Sequence, residues 1–363
     1  MRTQKKNNIC IMHFITFMRK TDIACIFEPS VPEGTGHGTV IRKLLPLIWK
    51  YCQENGISVT FFPLGLKEAQ RGYFIRTWVK RITLFPQAKI VHAFDPGWAT
   101  LNTNFITYYD IWPLKLPQYG IKGLGDKIDW QTRILALKRA KCIVSISEWS
   151  KRELVEYANI KSPKIRVIRL GIDHEKYYPQ KEKGEFFSPS KINILSVGSN
   201  EPRKNFILVA RSLEYLRDKG IESRFVRFGP TIWKEQKKEI AEIKKKSFDI
   251  VEPGVVSEEV LRRHYSSCDV FVWPSIYIES LSCLEALACG AKVVVLDKVF
   301  NREFLGDVAV YVKNNDPKEF AEGIIEALKM DIKNRGIEHA KKYSWEKTAA
   351  EYVKCYKEFL LAR

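Results

Sequence analysis

The sequence predicts an α/β protein of two doubly wound halves, each a parallel sheet flanked by helices, that face each other across a cleft. Two observations support this fold class. From Asp22 onward, short β-branched or apolar runs alternate with longer helical patterns, which is typical of βαβ units. The chain has 363 residues, which is too long for one ordinary core and fits two domains.

Six strands are predicted in each half of the chain. The strands of the first half are DIACIFEP, ISVTFFPL, KIVHAFDP, NFITYYDI, KCIVSIS and KIRVIRLG, and those of the second half are INILSVG, SRFVRFG, FDIVEPG, DVFVWPS, KVVVLD and AVYVK. Segments with helical patterns, such as TVIRKLLPLIWKYCQEN and NFILVARSLEYLRDKG, separate them. Ligands of such sheets bind beyond the carboxyl ends of the strands, so we expect the site in the cleft between the halves.

The pattern divides the chain into five parts. They are an extension (residues 1–21), an N-terminal domain (22–173), a polar linker with prolines and charges (174–191), a C-terminal domain (192–343) and a last helix (344–363). The apolar run Ile9 to Met18 in the extension is about half of what a bilayer span needs, and no signal-peptide cleavage pattern follows it. It is either a short interfacial segment or an upstream extension before a natural start at Met18. We favour the extension, because the first strand begins directly at Asp22.

The charge of the chain is strongly basic and unevenly distributed. The net charge is +18, and residues 1–170 carry 27 Lys and Arg against 12 Asp and Glu, a net charge of +15. The N-terminal half is therefore expected to meet an anionic partner. Nucleic acid, anionic lipid and phosphorylated substrates all remain open at this point, because charge alone names no partner.

The eight cysteines occur singly, without a CxxC pair. This pattern argues against a zinc site or a disulfide framework. It is typical of reduced, structural thiols in a cytoplasmic protein.

Two basic residues follow the first strand of the C-terminal domain. Arg203 and Lys204 lie in SNEPRKNF, the turn that leads from INILSVG into the next helix. Adjacent cations at a strand end can neutralise a diphosphate, helped by backbone amides near the helix start. The alternative is an ordinary solvated basic turn.

An acidic residue follows the strand DVFVWPS at the start of a helix. Glu285 lies in PSIYIESLSCLEALACGAKVVVLD, three residues after Ser282, and this is the spacing of a capping box. In one interpretation Glu285 only caps its own helix. In the other, its carboxylate faces the cleft and accepts hydrogen bonds from the vicinal hydroxyls of a ribose.

Two segments of the N-terminal domain also lie at strand ends. Gly34, Gly36 and Gly38 in PEGTGHGT follow the first strand, where they either allow a tight turn or bring backbone amides to the cleft. Tyr109 and Asp110 end the strand in FITYYDI. A carboxylate at the carboxyl end of a parallel strand suggests a functional role, whereas aromatic residues here are on average core residues or cleft walls.

From about Asp22 to the C-terminus, the chain resembles glycosyltransferase family 4, the retaining enzymes of the GT-B fold that use nucleotide sugars. The segments that carry the resemblance are PSIYIESLSCLEALACGAKVVV, VGSNEPRKNF, SISEWSKRELVEY, KIRVIRLGIDHEKYYP and YSWEKTAAEYVKCYKEFL. The resemblance implies two Rossmann-like domains. It also implies that the last helix, from Trp345, packs back on the N-terminal domain.

The resemblance assigns roles to the residues already singled out. Lys204 and Arg203 would bind the donor diphosphate with Gly198 of the same segment, and Glu285 would hold the ribose. Glu279 would lie near the donor sugar, and the loop with Gly34, Gly36 and Gly38 would face the donor phosphates and the acceptor. Tyr109 and Asp110 stand where the family often has a His-Asp pair, and together with Arg203 and Lys204 they are the predicted catalytic residues.

The chain departs from the family pattern at three places. Five residues separate Glu279 from Glu285, where the family usually has about seven, so the loop around the donor sugar is shorter. Ser199 replaces an arginine that is common in the phosphate segment, and Tyr109 replaces the histidine of the pair. A tyrosine can form a hydrogen bond at that position but is not cationic at neutral pH.

The resemblance implies transfer of a sugar from a nucleotide diphosphate sugar to an acceptor hydroxyl, with retention and without a metal. We expect no cofactor, because the UDP- or GDP-linked sugar is a substrate, and a glycan or lipid-linked acceptor as the partner. The basic half, and the segment RTWVKRITLF from Arg76 to Phe85 in particular, could contact the inner face of an anionic membrane, although the segment also fits an ordinary amphipathic helix. A non-catalytic relative that binds nucleotides is the main alternative. No nucleic-acid recognition motif accompanies the charge, so we expect no nucleic acid.

Overall fold

The computed structural model describes residues 21–29, 36–65, 79, 81–121, 123–246, 248–278 and 280–362. It contains two sheets of six strands, in which every pairing between neighbouring strands is parallel. The strands are β1 (Thr21–Phe27), β2 (Val59–Pro63), β3 (Ala88–Ala93), β4 (Phe105–Tyr108), β5 (Cys142–Ser145), β6 (Ile165–Val167), β7 (Ile192–Val197), β8 (Ser223–Phe228), β9 (Asp249–Gly254), β10 (Val270–Trp273), β11 (Val293–Leu296) and β12 (Ala309–Val312). The predicted fold class and all twelve strand positions are confirmed.

The helices of the N-terminal half cover its sheet. Within the described residues they include α1 (Gly36–Glu54), α2 (Trp112–Lys115), α3 (Pro117–Gly120), α4 (Leu124–Arg139) and α5 (Glu148–Ala158). The strand order is β2-β1-β3-β4-β5-β6, so β1 lies inside the sheet, where its apolar residues Ile23 to Ile26 are fully buried. Strands buried on both faces read as continuous apolar runs, and this explains why their positions were predictable.

The C-terminal half repeats the arrangement with strand order β12-β11-β10-β7-β8-β9. Its helices are α6 (Phe206–Asp218), α7 (Lys234–Lys245), α8 (Glu258–Ser267), α9 (Leu281–Ala288), α10 (Val299–Leu305), α11 (Pro317–Lys329) and α12 (Lys333–Ala340). Hydroxyl and carboxylate caps begin several of them. The side chain of Ser257 accepts a hydrogen bond from Val260 N at the start of α8, for example, and that of Asp316 accepts from Lys318 N and Glu319 N at the start of α11.

The last helix, α13 (Trp345–Leu361), contributes to the core of the N-terminal half. Its Tyr352 hydroxyl lies 2.9 Å from the Thr107 hydroxyl of β4. Tyr356 forms a hydrogen bond with Nδ1 of His92, which is fully buried in β3. Burial lowers the pKa of His92 to about 3, so the imidazole is neutral at physiological pH.

Residues 174–191, predicted as the linker, connect the halves without a helix or strand. Tyr177, Phe186 and Phe187 pack against the core of the C-terminal domain. The approach at Gly184 is very close, since a Cβ there would lie 2.3 Å from the ring of buried His264. This segment therefore belongs structurally to the C-terminal domain.

Direct contacts join the two halves on one side of the cleft. Glu303 of α10 accepts hydrogen bonds from the backbone N–H of Glu148 (2.7 Å) and Trp149 (2.9 Å), at the first turn of α5. A carboxylate is favoured at a helix N-terminus by the exposed amides and the helix dipole. Glu303 also forms an ion pair with Arg169 at 3.3 Å, so one carboxylate bridges the domains.

Across the described ranges, no helix is long and apolar enough to span a bilayer. The predicted extension, residues 1–21, lies almost wholly outside these ranges.

The segment Arg76 to Phe85 is only partly described, and not all of its basic residues lie on the surface. Arg81 is buried, with its guanidinium 3.2 Å from Asp129 and from the carbonyl of Ala99.

Candidate functional site

The carboxyl ends of β7 and β10 lie side by side where the strand order of the C-terminal sheet reverses. Such a switch point opens a crevice between the two loops that leave the strands, and ligands of open parallel sheets bind there. Here hydrogen bonds join the loop after β7 to the loop after β10. Ile276 N donates to the carbonyl of Arg203 at 2.9 Å, and the Asn205 side chain donates to the carbonyl of Pro274 at 3.2 Å.

The predicted basic pair lies in a tight turn, Pro202–Lys204, directly after β7. Glu201 holds both cations, with Arg203 Nε at 2.7 Å and Lys204 Nζ at 3.4 Å from its carboxylate. Lys204 Nζ also donates to the hydroxyl of Ser199 at 2.7 Å. Only 12% of the Arg203 side chain and 15% of the Lys204 side chain are exposed, so the interpretation as a solvated basic turn is wrong.

Burial changes the acid–base properties of this turn. It lowers the pKa of Lys204 to about 8, against the attraction of Glu201, so the ammonium is still charged at neutral pH. Burial by itself would raise the pKa of Glu201, but the charges of Arg203 and Lys204 outweigh it and hold that pKa below its ordinary value. The turn therefore presents two cations and one carboxylate that are largely shielded from solvent.

The guanidinium of Arg203 has hydrogen-bonding capacity that the protein does not use. Its Nη1 is buried and has no hydrogen-bond partner among the residues that the structure describes. An unmatched charged donor in a buried position costs free energy. An anionic acceptor bound at this position would remove that cost.

The loop after β7 approaches Lys204 and the neighbouring strand closely. Gly198 has a φ of +145°, and a Cβ on it would lie 3.2 Å from Lys204 Nζ. Gly229, at the end of β8, has a φ of +125° and lies so near that its Cβ would be 2.4 Å from the carbonyl oxygen of Gly198. Both positions need glycine because of conformation and space.

A buried arginine holds the loop after β7 by a hydrogen bond. Arg227 of β8 is 1% exposed and donates from Nη1 to the carbonyl of Gly198 at 2.7 Å. Its Nη2 forms an ion pair with Glu252 of β9 at 2.8 Å. Arg227 thus supports the segment that carries the basic turn.

Glu285 lies in α9, but it does not form the predicted capping box with Ser282. The helix begins two residues earlier than that pattern requires, and the side chain of Ser280 caps it by accepting from Ser282 N at 3.2 Å. The Glu285 carboxylate instead accepts a hydrogen bond from the fully buried Tyr265 hydroxyl at 3.1 Å, and Tyr177 is a second hydrogen-bonding neighbour. Burial raises the pKa of Glu285 to about 7, and these hydrogen bonds limit the rise.

Lys204 and Glu285 are held by different partners. Lys204 contacts Ser199 and Glu201 at the end of β7, whereas Glu285 contacts residues of α8 and of the 174–191 segment. The structure therefore places Lys204 in the turn after β7 and Glu285 in α9 of the same domain, without a direct contact between them. Glu279 lies outside the described residues.

The N-terminal residues predicted for the site fall in different surroundings. The side chain of Tyr109 packs against the core of its own domain, where burial raises its pKa well above the ordinary value. Asp110 accepts a hydrogen bond from Trp112 N at 3.3 Å, at the start of α2. Gly36 and Gly38 lie in the first turn of α1 and not in a loop as predicted, and Gly34 lies outside the described residues.

A second cluster crosses the cleft beside Asp110. Glu153 of α5 is 2% exposed and forms an ion pair with Lys115 of α2 at 2.7 Å. The Tyr277 hydroxyl, from the loop after β10, donates to the same carboxylate at 2.6 Å. Burial raises the pKa of Glu153, and the nearby charge of Asp110 adds to this effect.

Sequence reasoning missed four residues of this region. Glu201 was visible as the acid two positions before Arg203, and Arg227 as a charge inside an apolar strand. Tyr265 and Trp112 gave no local signal, because both act through contacts with residues that are distant in the chain.

Two family models match the chain. The model described as Glycosyl transferases group 1 matches residues 179–344, and the model described as Glycosyltransferase Family 4 matches residues 48–176. Together they span most of both domains.

Curated relatives are similar over most of the chain. It is 26% identical to O-antigen chain mannosyltransferase B of Escherichia coli over 273 residues, and this aligned region covers 71% of each protein. It is 24% identical over 320 residues to O-antigen chain mannosyltransferase RfbU of Salmonella typhimurium, which covers 87% of this chain and 80% of that protein.

Solved structures share the fold. Sucrose-phosphate synthase from Thermosynechococcus elongatus superposes with a TM-score of 0.74 at 16% identity, over 95% of this chain and 100% of that one. HepE from Anabaena, solved in complex with UDP and glucose, gives a TM-score of 0.64 at 12% identity, over 93% and 99% of the two chains.

Proposed function

This chain belongs to glycosyltransferase family 4 and has the GT-B fold, and on that premise we propose that it transfers a sugar from a nucleotide diphosphate sugar to an acceptor hydroxyl, with retention of configuration. One observation supports this proposal most strongly. At the carboxyl end of β7, Arg203 has a buried Nη1 without a hydrogen-bond partner among the described residues, and the charged Lys204 follows it, so two cations lie where a diphosphate would bind.

In this proposal the C-terminal domain holds the donor. Arg203 and Lys204 bind the diphosphate, while the close approach of the loop at Gly198 brings backbone near it. The carboxylate of Glu285 accepts hydrogen bonds from the ribose hydroxyls, and Glu279 lies near the donor sugar. Gly34, Gly36 and Gly38 face the donor from the N-terminal domain, where the first turn of α1 supplies backbone amides.

The same cations assist the chemical step. When the bond between the anomeric carbon and the phosphate oxygen breaks, negative charge develops on the departing diphosphate. Arg203 and Lys204 are already held in place, so they stabilise this charge more in the transition state than in the ground state. The acceptor oxygen attacks from the face that the diphosphate leaves, and its proton passes to the departing phosphate oxygen.

This arrangement provides cationic charge from side chains, so we propose that transfer needs neither a metal nor a cofactor. Asp110 and Tyr109 complete the proposed catalytic set from the N-terminal domain. Asp110 lies beside the cluster that crosses the cleft, and this is consistent with a place near the donor sugar.

The relatives suggest which sugar to test first. Both curated relatives named above are mannosyltransferases of O-antigen chains, so mannose on GDP is the first donor candidate and a glycan or lipid-linked glycan is the acceptor class. HepE was solved with UDP and glucose, which makes UDP-glucose the second donor candidate.

We also propose that the protein works in the cytoplasm, in peripheral contact with the inner face of an anionic membrane. Val79, Ile82 and Phe85 are large apolar side chains on the surface of the N-terminal domain, with about half of each exposed. They belong to the half of the chain that carries a net charge of +15. Exposed apolar groups on a basic domain favour interfacial binding.

One observation favours the non-catalytic alternative. The tyrosine that replaces the family's histidine, Tyr109, packs into the core of its own domain instead of standing free in the cleft. A relative that binds nucleotides without transfer would retain the donor loop and lose turnover. The two functions are distinguished by measuring glycosylated acceptor over many turnovers. A transferase forms this product, and a protein that only binds nucleotides does not.

A thermal-shift screen against UDP, GDP, ADP and their sugars tests the proposal first, because a ligand that binds the native state raises its melting temperature. We expect a shift with one nucleotide diphosphate sugar, loss of that shift in both Lys204→Ala and Glu285→Ala, and no dependence on added EDTA. Analysis of the product by NMR then reports the anomeric configuration. Unaltered nucleotide binding in both variants would reject the site assignment.

A further inference from the structure

We propose that Trp112, which comes from the N-terminal domain, is the positioning residue for Arg203 and completes the diphosphate subsite from across the cleft. This inference rests on the proposed function and deepens it, since it names how the second domain takes part in holding the phosphates.

The geometry of Arg203 supports this proposal. The guanidinium carbon of Arg203 lies 4.7 Å from the centre of the Trp112 ring, close enough for a cation–π contact. Glu201 binds the Nε edge at 2.7 Å. A cation–π contact engages the guanidinium without accepting its N–H groups, and Nη1 has no hydrogen-bond partner among the described residues, so its donors are available to a ligand.

Trp112 is itself held firmly in this position. Asp110 accepts a hydrogen bond from Trp112 N at 3.3 Å, and Pro113 follows it at the start of α2. The backbone at Gly120 lies close to the indole, because a Cβ on Gly120 would be 3.0 Å from Trp112 Cζ3 and 2.5 Å from Pro113. Asp110, predicted as a catalytic residue, thus also fixes the start of the helix that carries the tryptophan.

The whole segment from α2 to α3 reaches the C-terminal domain. Tyr119 lies edge-on to Trp233 with ring centres 6.0 Å apart, and Lys115 lies 5.7 Å from the centre of the Tyr277 ring. The contact between Trp112 and Arg203 is therefore accompanied by other contacts between this segment and the C-terminal half. These contacts help to hold the indole near the guanidinium.

Holding Arg203 before the ligand arrives favours binding. A long side chain loses rotamer freedom when it binds a phosphate, and the contact with Trp112 removes part of that freedom beforehand. The N–H groups of Nη1 are then presented to the diphosphate at little further cost. Because the indole belongs to the other domain, phosphate affinity also depends on the relative placement of the two domains.

A double-mutant cycle tests this inference with GDP and UDP as the probes. Dissociation constants are measured by titration calorimetry for the wild type, Trp112→Ala, Arg203→Ala and the double variant. We expect Trp112→Ala to weaken binding roughly 3- to 10-fold in the wild-type background and by less than about 2-fold when Arg203 is already absent. Trp112→Phe, which keeps an aromatic face, should restore most of the affinity.

Trp49→Ala is the matched control, because Trp49 is half exposed on α1. Its dissociation constants should equal those of the wild type. A purely structural role of Trp112 would weaken binding equally in both Arg203 backgrounds, and that result would overturn the inference while leaving the proposed function in place. Failure of the wild type to bind either GDP or UDP would instead overturn both.

Discussion

Replacing Lys204 with alanine should weaken the binding of GDP or UDP roughly 10- to 150-fold, the range expected when a charge-assisted hydrogen bond to phosphate worth about 1.5–3 kcal/mol is lost. The fold should survive. Glu201 keeps its contact with Arg203 at 2.7 Å and its hydrogen bond from Ser199, so the substitution leaves no buried carboxylate unpaired. We expect the free energy of unfolding to change by less than about 2 kcal/mol.

The pH dependence gives a sharper test of the same residue. The pKa of Lys204 is about 8 in the folded protein, below its ordinary 10.5, so the cation is present below pH 8 and is lost as the pH rises through that value. The affinity of the wild type for nucleoside diphosphate should therefore fall above pH 8. Glu285 has a pKa of about 7, so its carboxylate is lost as the pH falls below 7, and affinity should decline on that side as well.

Titration calorimetry at constant ionic strength, from pH 6 to pH 9.5, measures both limbs of this profile. Lys204→Ala should lack the alkaline limb and keep the acidic one. Lys245→Ala is the matched control, since that lysine is 71% exposed on α7 and forms its ion pair with Glu242 of the same helix; its profile should match the wild type. If Lys204→Ala binds as tightly as the wild type and retains the alkaline limb, Lys204 does not bind the diphosphate.

Three further predictions concern the supports of the site and the fold. Tyr265→Phe removes a hydrogen bond that keeps the pKa of Glu285 down, so the acidic limb of nucleotide binding should move to higher pH; an unmoved limb in the same calorimetric titration would argue against it. Arg227→Met breaks a buried ion pair with Glu252, so the free energy of unfolding, measured in urea, should fall by about 3 kcal/mol. A decrease below about 1 kcal/mol would mean that Arg227 does not support the loop after β7. Tyr356→Phe removes the hydrogen bond between α13 and the buried histidine of β3, which should cost about 1 kcal/mol in urea unfolding; no loss would mean that this contact does not help to hold α13 on the N-terminal domain.

The fold was predictable because most of its strands are buried on both faces. A run such as KVVVLD holds four consecutive apolar residues between two charged ones, so both its state and its ends could be located from the sequence. The 174–191 segment shows what composition does not reveal. Its charges and prolines indicated an interdomain linker, and they gave no sign that Phe186 and Phe187 pack against the C-terminal core.

The sequence indicated where the basic turn of the candidate site lies, but not what surrounds it. Arg203 and Lys204 were identifiable because they follow a buried strand in a parallel sheet, where ligands bind. Their burial was not, because it depends on contacts such as that with Trp112, about ninety residues away in the chain. The capping box at Glu285 failed for a local reason, since Ser280 competes with Ser282 as the cap and the helix begins at Leu281.

The most direct test of the proposed donor site is a structure of the protein determined with GDP or UDP bound. We expect phosphate oxygens within hydrogen-bonding distance of Lys204 Nζ and Arg203 Nη1, and the ribose hydroxyls on the carboxylate of Glu285. A nucleotide bound outside the crevice beside β7 and β10, or one whose phosphates contact neither cation, would contradict the account.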